Sequence, residues 1–162
     1  MLIPVTTDIQ SGIIESLAKE IWTEHYVPII GKAQVEYMLC RFQSKHAVLE
    51  QIDNGALYFL MQENDVFVGY MAVYAKKQEL FLSKIYVRSS ERSKGYGRSA
   101  VQFAETIAKE RALAKIVLTV NKHNTNTIHV YEKMGFKKTG SIVQDIGDGF
   151  FMDDFAMEKD IT

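Results

Sequence analysis

Three strand-like runs follow one another in the middle of the chain, and this block restricts the possible folds more than any other part of the sequence. The runs are rich in aromatic and β-branched residues, which favour strands. Asn64-Asp65 is typical of a two-residue hairpin turn, and the polar step Lys76-Lys77-Gln78 ends the second run. The sequence therefore predicts an antiparallel meander with strands at Ala56–Gln62, Val66–Ala75 and Glu79–Val87.

Helical patterns come before this meander. Apolar residues recur at helical spacing from Ile13 to Ile21, which indicates an amphipathic helix capped by Thr7 or Asp8. Pro28 and Gly31 are expected to end this helix. A short first strand is predicted at Leu2–Thr6, and two further helices are predicted around Val35–Phe42 and Val48–Ile52.

Strands and helices alternate after the meander, and Gly135 is expected at the left-handed end of the last helix. This order predicts the α/β class, with a mixed, mostly antiparallel sheet of six to seven strands flanked by helices. One domain is expected to cover residues 1–162. The elements of this half are a helix over Ala100–Ala108, a strand at Lys115–Val120, a helix at Thr125–Met134 and strands at Phe136–Ile146 and Phe150–Lys159.

Composition argues against several classes of function. The net charge is −1, no basic face carries interleaved aromatic residues, and no apolar run could span a bilayer, so no nucleic-acid or membrane partner is expected. The one cysteine, Cys40, can form no disulfide within the chain and is predicted to be a core residue. The four histidines lack metal-ligand spacing, so no metal is expected. These features predict a cytoplasmic protein.

A glycine loop, Arg92-Ser-Lys-Gly95-Tyr-Gly97, lies between the third strand of the meander and the next helix. Glycines leave backbone N–H groups uncovered, and a helix start adds unpaired donors with a partial positive charge. Residues 88–98 also hold four cations against one carboxylate, a local charge of +3. The loop is therefore predicted to bind a phosphate or diphosphate.

Several interpretations of this loop compete. Gly95-Tyr-Gly97-Arg-Ser-Ala100 nominally matches the dinucleotide pattern G-x-G-x-x-A, but a polar loop separates it from the preceding strand, and the next strand ends at Val120-Asn121 without a carboxylate. A P-loop is excluded because no Lys-Ser/Thr pair follows the glycines. An ordinary solvated loop whose glycines start a helix remains open.

A further interpretation rests on two motifs together. Arg92, Gly95 and Gly97 complete the pattern Gln/Arg-x-x-Gly-x-Gly/Ala, which resembles the pyrophosphate loop of the GCN5-related N-acetyltransferases (GNAT). Residues 124–136 read NTNTIHVYEKMGF, which is similar to that family's NxxAxxxYxxxGF with Thr127 in place of the alanine. The resemblance covers about residues 56–159, and the layout is nearest to bacterial spermidine/spermine acetyltransferases.

The resemblance implies acetyl-CoA as the cosubstrate. In such enzymes the pantetheine arm lies along the strand before the glycine loop, the loop amides hold the pyrophosphate, and an asparagine contacts the cosubstrate. For Asn124 a helix N-cap is an equally expected role, and the two roles can coexist. The implied binding residues are Ile85, Tyr86, Val87, Arg92, Ser93, Lys94, Gly95, Tyr96, Gly97, Arg98, Asn124 and Tyr131.

The resemblance also implies catalytic roles. Tyr131 matches the tyrosine that protonates the departing thiolate, the alternative being a tyrosine that only packs on the sheet. The family often places a glutamate on the strand before the loop, but that position is Phe81 here. The candidates to remove the proton of the amine are then Ser83 and Glu79. On a regular strand the Glu79 side chain points to the same face as that of Phe81.

The acceptor is less defined. Glu24, His25 and Tyr26, together with Asp153 and Asp154 in an acidic hairpin, are the candidates for binding it. The predicted partner is a small-molecule amine such as a polyamine; a protein amino terminus, a lysine and an amino sugar remain open. A non-catalytic acyl-CoA-binding sensor or interaction module is the alternative of another class. Because exposed edge strands often pair, a homodimer is allowed.

Overall fold

The fold is a single seven-stranded sheet with helices on both faces, seen in a computed structural model that describes residues 1–161. The predicted mixed, mostly antiparallel sheet is confirmed. The strands are β1 (Leu2–Pro4), β2 (Leu57–Glu63), β3 (Val66–Lys76), β4 (Glu79–Val87), β5 (Lys115–Asn121), β6 (Lys137–Gly147) and β7 (Phe150–Asp160). The helices are α1 (Asp8–Ile30), α2 (Lys32–Gln43), α3 (Lys45–Asp53), α4 (Tyr96–Glu110) and α5 (Thr125–Lys133).

The strand order is β1-β2-β3-β4-β5-β7-β6. Every neighbouring pair is antiparallel except β4 and β5, which run parallel because α4 connects them as a crossover. One hydrophobic core lies between the sheet and α4 and α5, and the second lies between the sheet and α1, α2 and α3. We call these two sides of the sheet the α4 face and the α1 face. None of the helices in residues 1–161 is long and apolar enough to cross a bilayer.

Local sequence signals explain most element ends. Asn64 and Asp65 both adopt positive φ, 51° and 63°, as the predicted hairpin turn requires. The Thr7 side chain accepts from the backbone N–H of Gln10, whose own side chain accepts from the Thr7 N–H, so a capping box starts α1. The prediction that Pro28 ends α1 is wrong. Pro28 lies inside the last turn, where its missing N–H costs one helical bond, and α1 continues to Ile30 before Gly31.

Helix α2 buries a narrower stripe than its sequence indicates. Val35 and Met38 are buried, whereas Cys40 is exposed, so the prediction of a core cysteine is wrong. Polar side chains of α2 bind the β6–β7 hairpin. Tyr37 Oη donates to the Ile146 carbonyl at 2.7 Å and Gln34 Nε2 donates to the Phe151 carbonyl at 2.7 Å, which holds the β6–β7 hairpin against the α1 face.

A buried hydrogen-bond chain fixes α1 and α2 to the sheet. Trp22 Nε1 donates to Tyr70 Oη at 3.1 Å, and Tyr70 Oη donates to Gln43 Oε1 at 2.6 Å. We expect Tyr70→Phe to lower the free energy of unfolding by about 1–3 kcal/mol, because it leaves two buried polar atoms unpaired. Urea unfolding measures this loss. Tyr74→Phe is the control, and equal effects of the two variants would contradict the role of the chain.

Candidate functional site

A gap opens in the sheet between β4 and β5. The two strands pair over only three positions, from Glu79 with Lys115 to Phe81 with Val117. Beyond them, β4 continues on β3 and β5 continues on β7, but β4 and β5 no longer pair with each other. We call this space, between residues 82–87 and residues 118–121, the interstrand gap. Its backbone edge on β4 can bind an extended ligand in the manner of an added strand.

A β-bulge lies at the start of the gap. The register of β3 and β4 skips one residue, so Leu82 pairs with Val73 and Lys84 pairs with Ala72, which leaves Ser83 as the extra residue. A bulge bends its strand and increases its twist, which separates β4 from β5. Ser83 Oγ donates to the Ala72 carbonyl at 3.3 Å. Phe81, Lys84 and Tyr86 lie opposite residues of the α1-face core or its rim, so they share that face.

The glycine loop lies at the open end of the gap and begins α4. Gly95 is its N-cap residue, with φ 89° in the left-handed region, and no side chain caps the helix. A Cβ added at Gly97 would have no atom within 4 Å outside its neighbours. No side chain caps the first-turn N–H groups of α4 and no atom crowds the glycines beside them, as an anion site needs. The residues present fit a bound diphosphate.

Two of the cations of the loop are already neutralised. Arg88 Nε lies 2.7 Å from Glu20, and Lys94 Nζ lies 2.7 Å from Glu91. Arg92 and Arg98 have no carboxylate within 4.0 Å among residues 1–161, and Arg92 Nε donates to the Val87 carbonyl at 3.2 Å. These two guanidinium groups are the cations that remain for a phosphate.

Asn124 occupies the N-cap position of α5, but its side chain does not cap the helix. Its Oδ1 instead lies 3.1 Å from His25 Nε2, and because an amide oxygen accepts, the imidazole donates. Burial, then the nearby charge of Arg92, lowers the pKa of His25, so the ring is neutral at neutral pH. Asn124 is therefore the N-cap residue of α5 by position but not through its side chain, which joins α1 to the end of β5.

Two tyrosine hydroxyl groups meet beside the gap, and a third tyrosine, Tyr131, is buried close to them. Tyr131 of α5 is 8% exposed, and burial, then the charge that Tyr26 can carry, raises its pKa well above the usual value. Tyr26 Oη of α1 and Tyr86 Oη of β4 are 3.2 Å apart, and the pKa of each is raised by burial. All three phenols are therefore protonated at neutral pH. The contact between Tyr26 and Tyr86 had no signal in the sequence, because two elements far apart along the chain supply it.

Two predicted candidates for proton removal have other partners. Glu79 lies 3.6 Å from Lys115 Nζ at the closed end of the β4–β5 pair, and Lys115 also binds Glu158 at 2.9 Å. Ser83 Oγ is bonded to the backbone of β3. Catalytic roles for Glu79 and Ser83 stay predictions, and the structure gives each of them a structural contact.

The candidate acceptor residues divide between two faces. Asp153 is exposed and bonded to Lys122 at 2.8 Å, whereas Asp154, the next residue along β7, points to the opposite face and is 5% exposed. Burial, then the charge of Asp153, raises the pKa of Asp154 to about 6, although Lys122 opposes this rise. Glu24 accepts from Ser89 Oγ at 2.8 Å, which ties α1 to the glycine-loop region.

Lys84 is a residue that sequence reasoning missed. Burial lowers its pKa to about 8, and its Nζ donates to the Ser83 carbonyl at 3.3 Å. The sequence could not show this, because the bulge at Ser83 decides on which face of the sheet the Lys84 side chain lies. Over the described part of the chain, no three His, Cys, Asp or Glu side chains are grouped as metal ligands.

Comparison with protein families gives one match. A family model described as the Acetyltransferase (GNAT) family matches residues 14–136. This range contains the glycine loop, the interstrand gap and Tyr131, so the match includes the main parts of the site.

Individual relatives agree with this match. The chain is 29% identical over 150 residues to spermidine N(1)-acetyltransferase of Thermoplasma acidophilum, covering 88% of this chain and 86% of that protein. It is 23% identical over 130 residues to human N-acetyltransferase 8, covering 76% of this chain but only 53% of the human protein, about half its length. Among solved structures, the PaiA N-acetyltransferase of Thermoplasma acidophilum in complex with coenzyme A has a TM-score of 0.82 and 21% identity, covering 99% of each chain.

Proposed function

The chain belongs to the Acetyltransferase (GNAT) family, and from this premise we propose that it transfers the acetyl group of acetyl-CoA to a primary amine. The observation that carries the proposal is the interstrand gap, which has an uncapped helix start at its open end and Tyr131 beside it. The family match confirms the predicted family and, with it, the predicted class of enzyme and cosubstrate. It does not identify the amine.

In this proposal, backbone groups and two cations hold the cosubstrate. The β4 edge at Ile85, Tyr86 and Val87 binds the pantetheine arm, because the gap leaves that edge without a strand partner. The N–H groups around Gly95–Gly97 hold the diphosphate, supported by the helix dipole. Arg92 and Arg98 balance its negative charge, since the other cations are paired. Ser93, Lys94 and Tyr96 shape this loop.

Tyr131 acts as the proton donor in this proposal. The amine nitrogen bonds to the acetyl carbonyl carbon, the carbon–sulfur bond breaks, and the Tyr131 hydroxyl gives its proton to the sulfur. Its raised pKa keeps the phenol protonated at physiological pH. Since a phenol of such high pKa is a weak acid, the proton moves as the carbon–sulfur bond breaks rather than before it. Asn124 holds His25 at the same end of the gap.

The acceptor approaches from the α1 face. His25 and Tyr26 at the end of α1 and Asp154 of β7 surround that approach, and Glu24 fixes the adjoining loop. A buried carboxylate favours a cationic amine, and a polyamine is the leading acceptor. The name of the Thermoplasma acidophilum relative supports this choice. A cytoplasmic location and a homodimer stay predictions.

A thiol-release assay tests the proposal. Enzyme and acetyl-CoA are incubated with spermidine, glucosamine, L-lysine or an alanyl peptide, and free CoA thiol is measured against a reaction without amine. We expect spermidine to raise thiol release at least tenfold. Release with another amine only would change the acceptor class. No release with any amine, together with CoA binding, would support the non-catalytic sensor and contradict transfer.

A further inference from the structure

Asp154 is a buried carboxylate on the face from which the acceptor approaches. It lies on β7 opposite Asn121, the last residue of β5. Its even-numbered neighbour Met152 packs with the α1-face core, whereas Phe155 packs with the α4-face core, so strand alternation places the Asp154 side chain on the α1 face. The backbone of Asn124 donates to the Asn121 carbonyl at 3.0 Å, which puts Asp154 beside the start of α5.

The Asp154 carboxylate has no hydrogen bond and no ion pair within residues 1–161, although only 5% of the residue is exposed. Lys122, whose positive charge acts on Asp154, is bound to Asp153 on the other face at 2.8 Å. No described side-chain polar atom is both fully buried and unpaired, so the Asp154 oxygens keep an opening to the outside. A buried carboxylate without a partner costs stability, which is reasonable where a cationic ligand completes the site.

Building on the proposed acetyl transfer, we propose that Asp154 takes the proton of the acceptor amine. The carboxylate binds the ammonium group R–NH3⁺ and accepts one proton, which leaves R–NH2 and a neutral carboxyl group. The nitrogen then bonds to the acetyl carbonyl carbon, the carbon–sulfur bond breaks, and Tyr131 protonates the sulfur. The second nitrogen proton returns to the Tyr131 phenolate. Asp154 releases its proton to solvent, which balances the reaction.

Other groups near the gap are poorer proton acceptors. Phe81 occupies the position of the family glutamate and cannot accept a proton. His25 donates through Nε2 to Asn124, and burial and the charge of Arg92 lower the pKa of its ring, which disfavours protonation at Nδ1. Lys84 is mostly protonated at neutral pH. Asp154 is ionised at that pH. Burial raises its pKa to about 6, which brings the pKa of the carboxyl group closer to that of an alkylamine.

The proposal predicts a pH dependence with a definite sign. Only the ionised carboxylate can accept a proton, so kcat/KM rises with pH around pH 6 and reaches a plateau near neutrality. The charged or titratable groups that act on Asp154 are Asp153 beside it, Lys122 after β5 and Tyr26 of α1. Tyr26 stays neutral in this range because burial raises its pKa, and Lys122 stays bonded to Asp153.

The test compares Asp154→Asn with Asp65→Asn, an equal charge change in the exposed β2–β3 turn. The acceptor is whichever of spermidine, glucosamine, L-lysine and an alanyl peptide the wild type uses best. We expect Asp154→Asn to lower kcat at least a hundredfold and to abolish the rise of kcat/KM around pH 6. Its affinity for CoA, measured by calorimetry, is expected to stay unchanged. Formate added to Asp154→Ala is expected to restore part of kcat. Asp65→Asn is expected to behave as the wild type.

Several outcomes would overturn the proposal. An unchanged kcat in Asp154→Asn, or a change in KM alone, leaves acetyl transfer standing but removes Asp154 as the proton acceptor. If Asp154→Asn does not fold, the pH dependence of kcat/KM in the wild type decides. A rise near pH 6 supports the role of Asp154, and a constant kcat/KM from about pH 5 to pH 8 overturns it. A wild type that acetylates no amine overturns both proposals.

Discussion

Tyr131→Phe is expected to lower kcat at least tenfold while the affinity for acetyl-CoA changes little. The substitution removes one hydroxyl group beside the interstrand gap and keeps the ring that packs against Phe136 at a centroid distance of 5.5 Å. A positioned general acid is typically worth about 10²–10⁴ in rate. A thiolate leaves more readily than most groups, which puts the expected loss at the low end of that range.

Steady-state kinetics and calorimetry separate this role from a packing role. Tyr74→Phe is the matched control, since it removes a tyrosine hydroxyl on β3 opposite Phe81, where β4 and β5 still pair, and should leave kcat unchanged. If Tyr131 only packs on the sheet, Tyr131→Phe will keep full kcat. A loss of CoA affinity equal to the loss of kcat would mean that the hydroxyl binds the cosubstrate and does not donate a proton.

Gly97→Asp is expected to lower the affinity for CoA at least a hundredfold without destabilising the protein. A side chain at this position meets no protein atom, and an acidic residue in the first turn of α4 is favoured by the helix dipole. The same carboxylate would lie where the diphosphate binds. Two like charges about 4 Å apart near a protein surface repel by about 4 kcal/mol, more than a hundredfold change in affinity requires.

The control is Gly97→Ala, which adds a Cβ but no charge, and alanine is an accepted residue at this position of the family pattern. Calorimetry with CoA and urea unfolding are measured for both variants. We expect Gly97→Ala to bind within a few-fold of the wild type. If Gly97→Asp binds CoA as tightly as Gly97→Ala does, the diphosphate does not lie on the start of α4.

Local patterns were enough to predict most of the fold. The hairpin at Asn64-Asp65 and the left-handed Gly135 follow from backbone preferences that act over a few residues. The extent of α1 did not follow, because packing of Trp22 and its neighbours on the sheet outweighs the bond lost at Pro28. The exposure of Cys40 depends on which side of α2 meets the sheet, which tertiary packing decides.

Candidate site residues could be named from the sequence only where a motif is contiguous. The glycine loop and Tyr131 each lie in a short sequence pattern, so the sequence indicated both. The pairing of Tyr26 with Tyr86, and of His25 with Asn124, joins elements that are far apart in sequence. The hairpin carboxylates could be named as a group, but only the strand alternation in the folded sheet separates Asp154 from Asp153.

A crystal structure of the protein with CoA bound tests the central claim most directly. The account predicts the diphosphate on the N–H groups of Gly95–Gly97 and the pantetheine arm along β4. It also predicts the sulfur in the interstrand gap, about 3–3.5 Å from Tyr131 Oη, close enough for proton transfer. A CoA molecule bound elsewhere, or a sulfur atom outside the gap and away from Tyr131, would contradict the account.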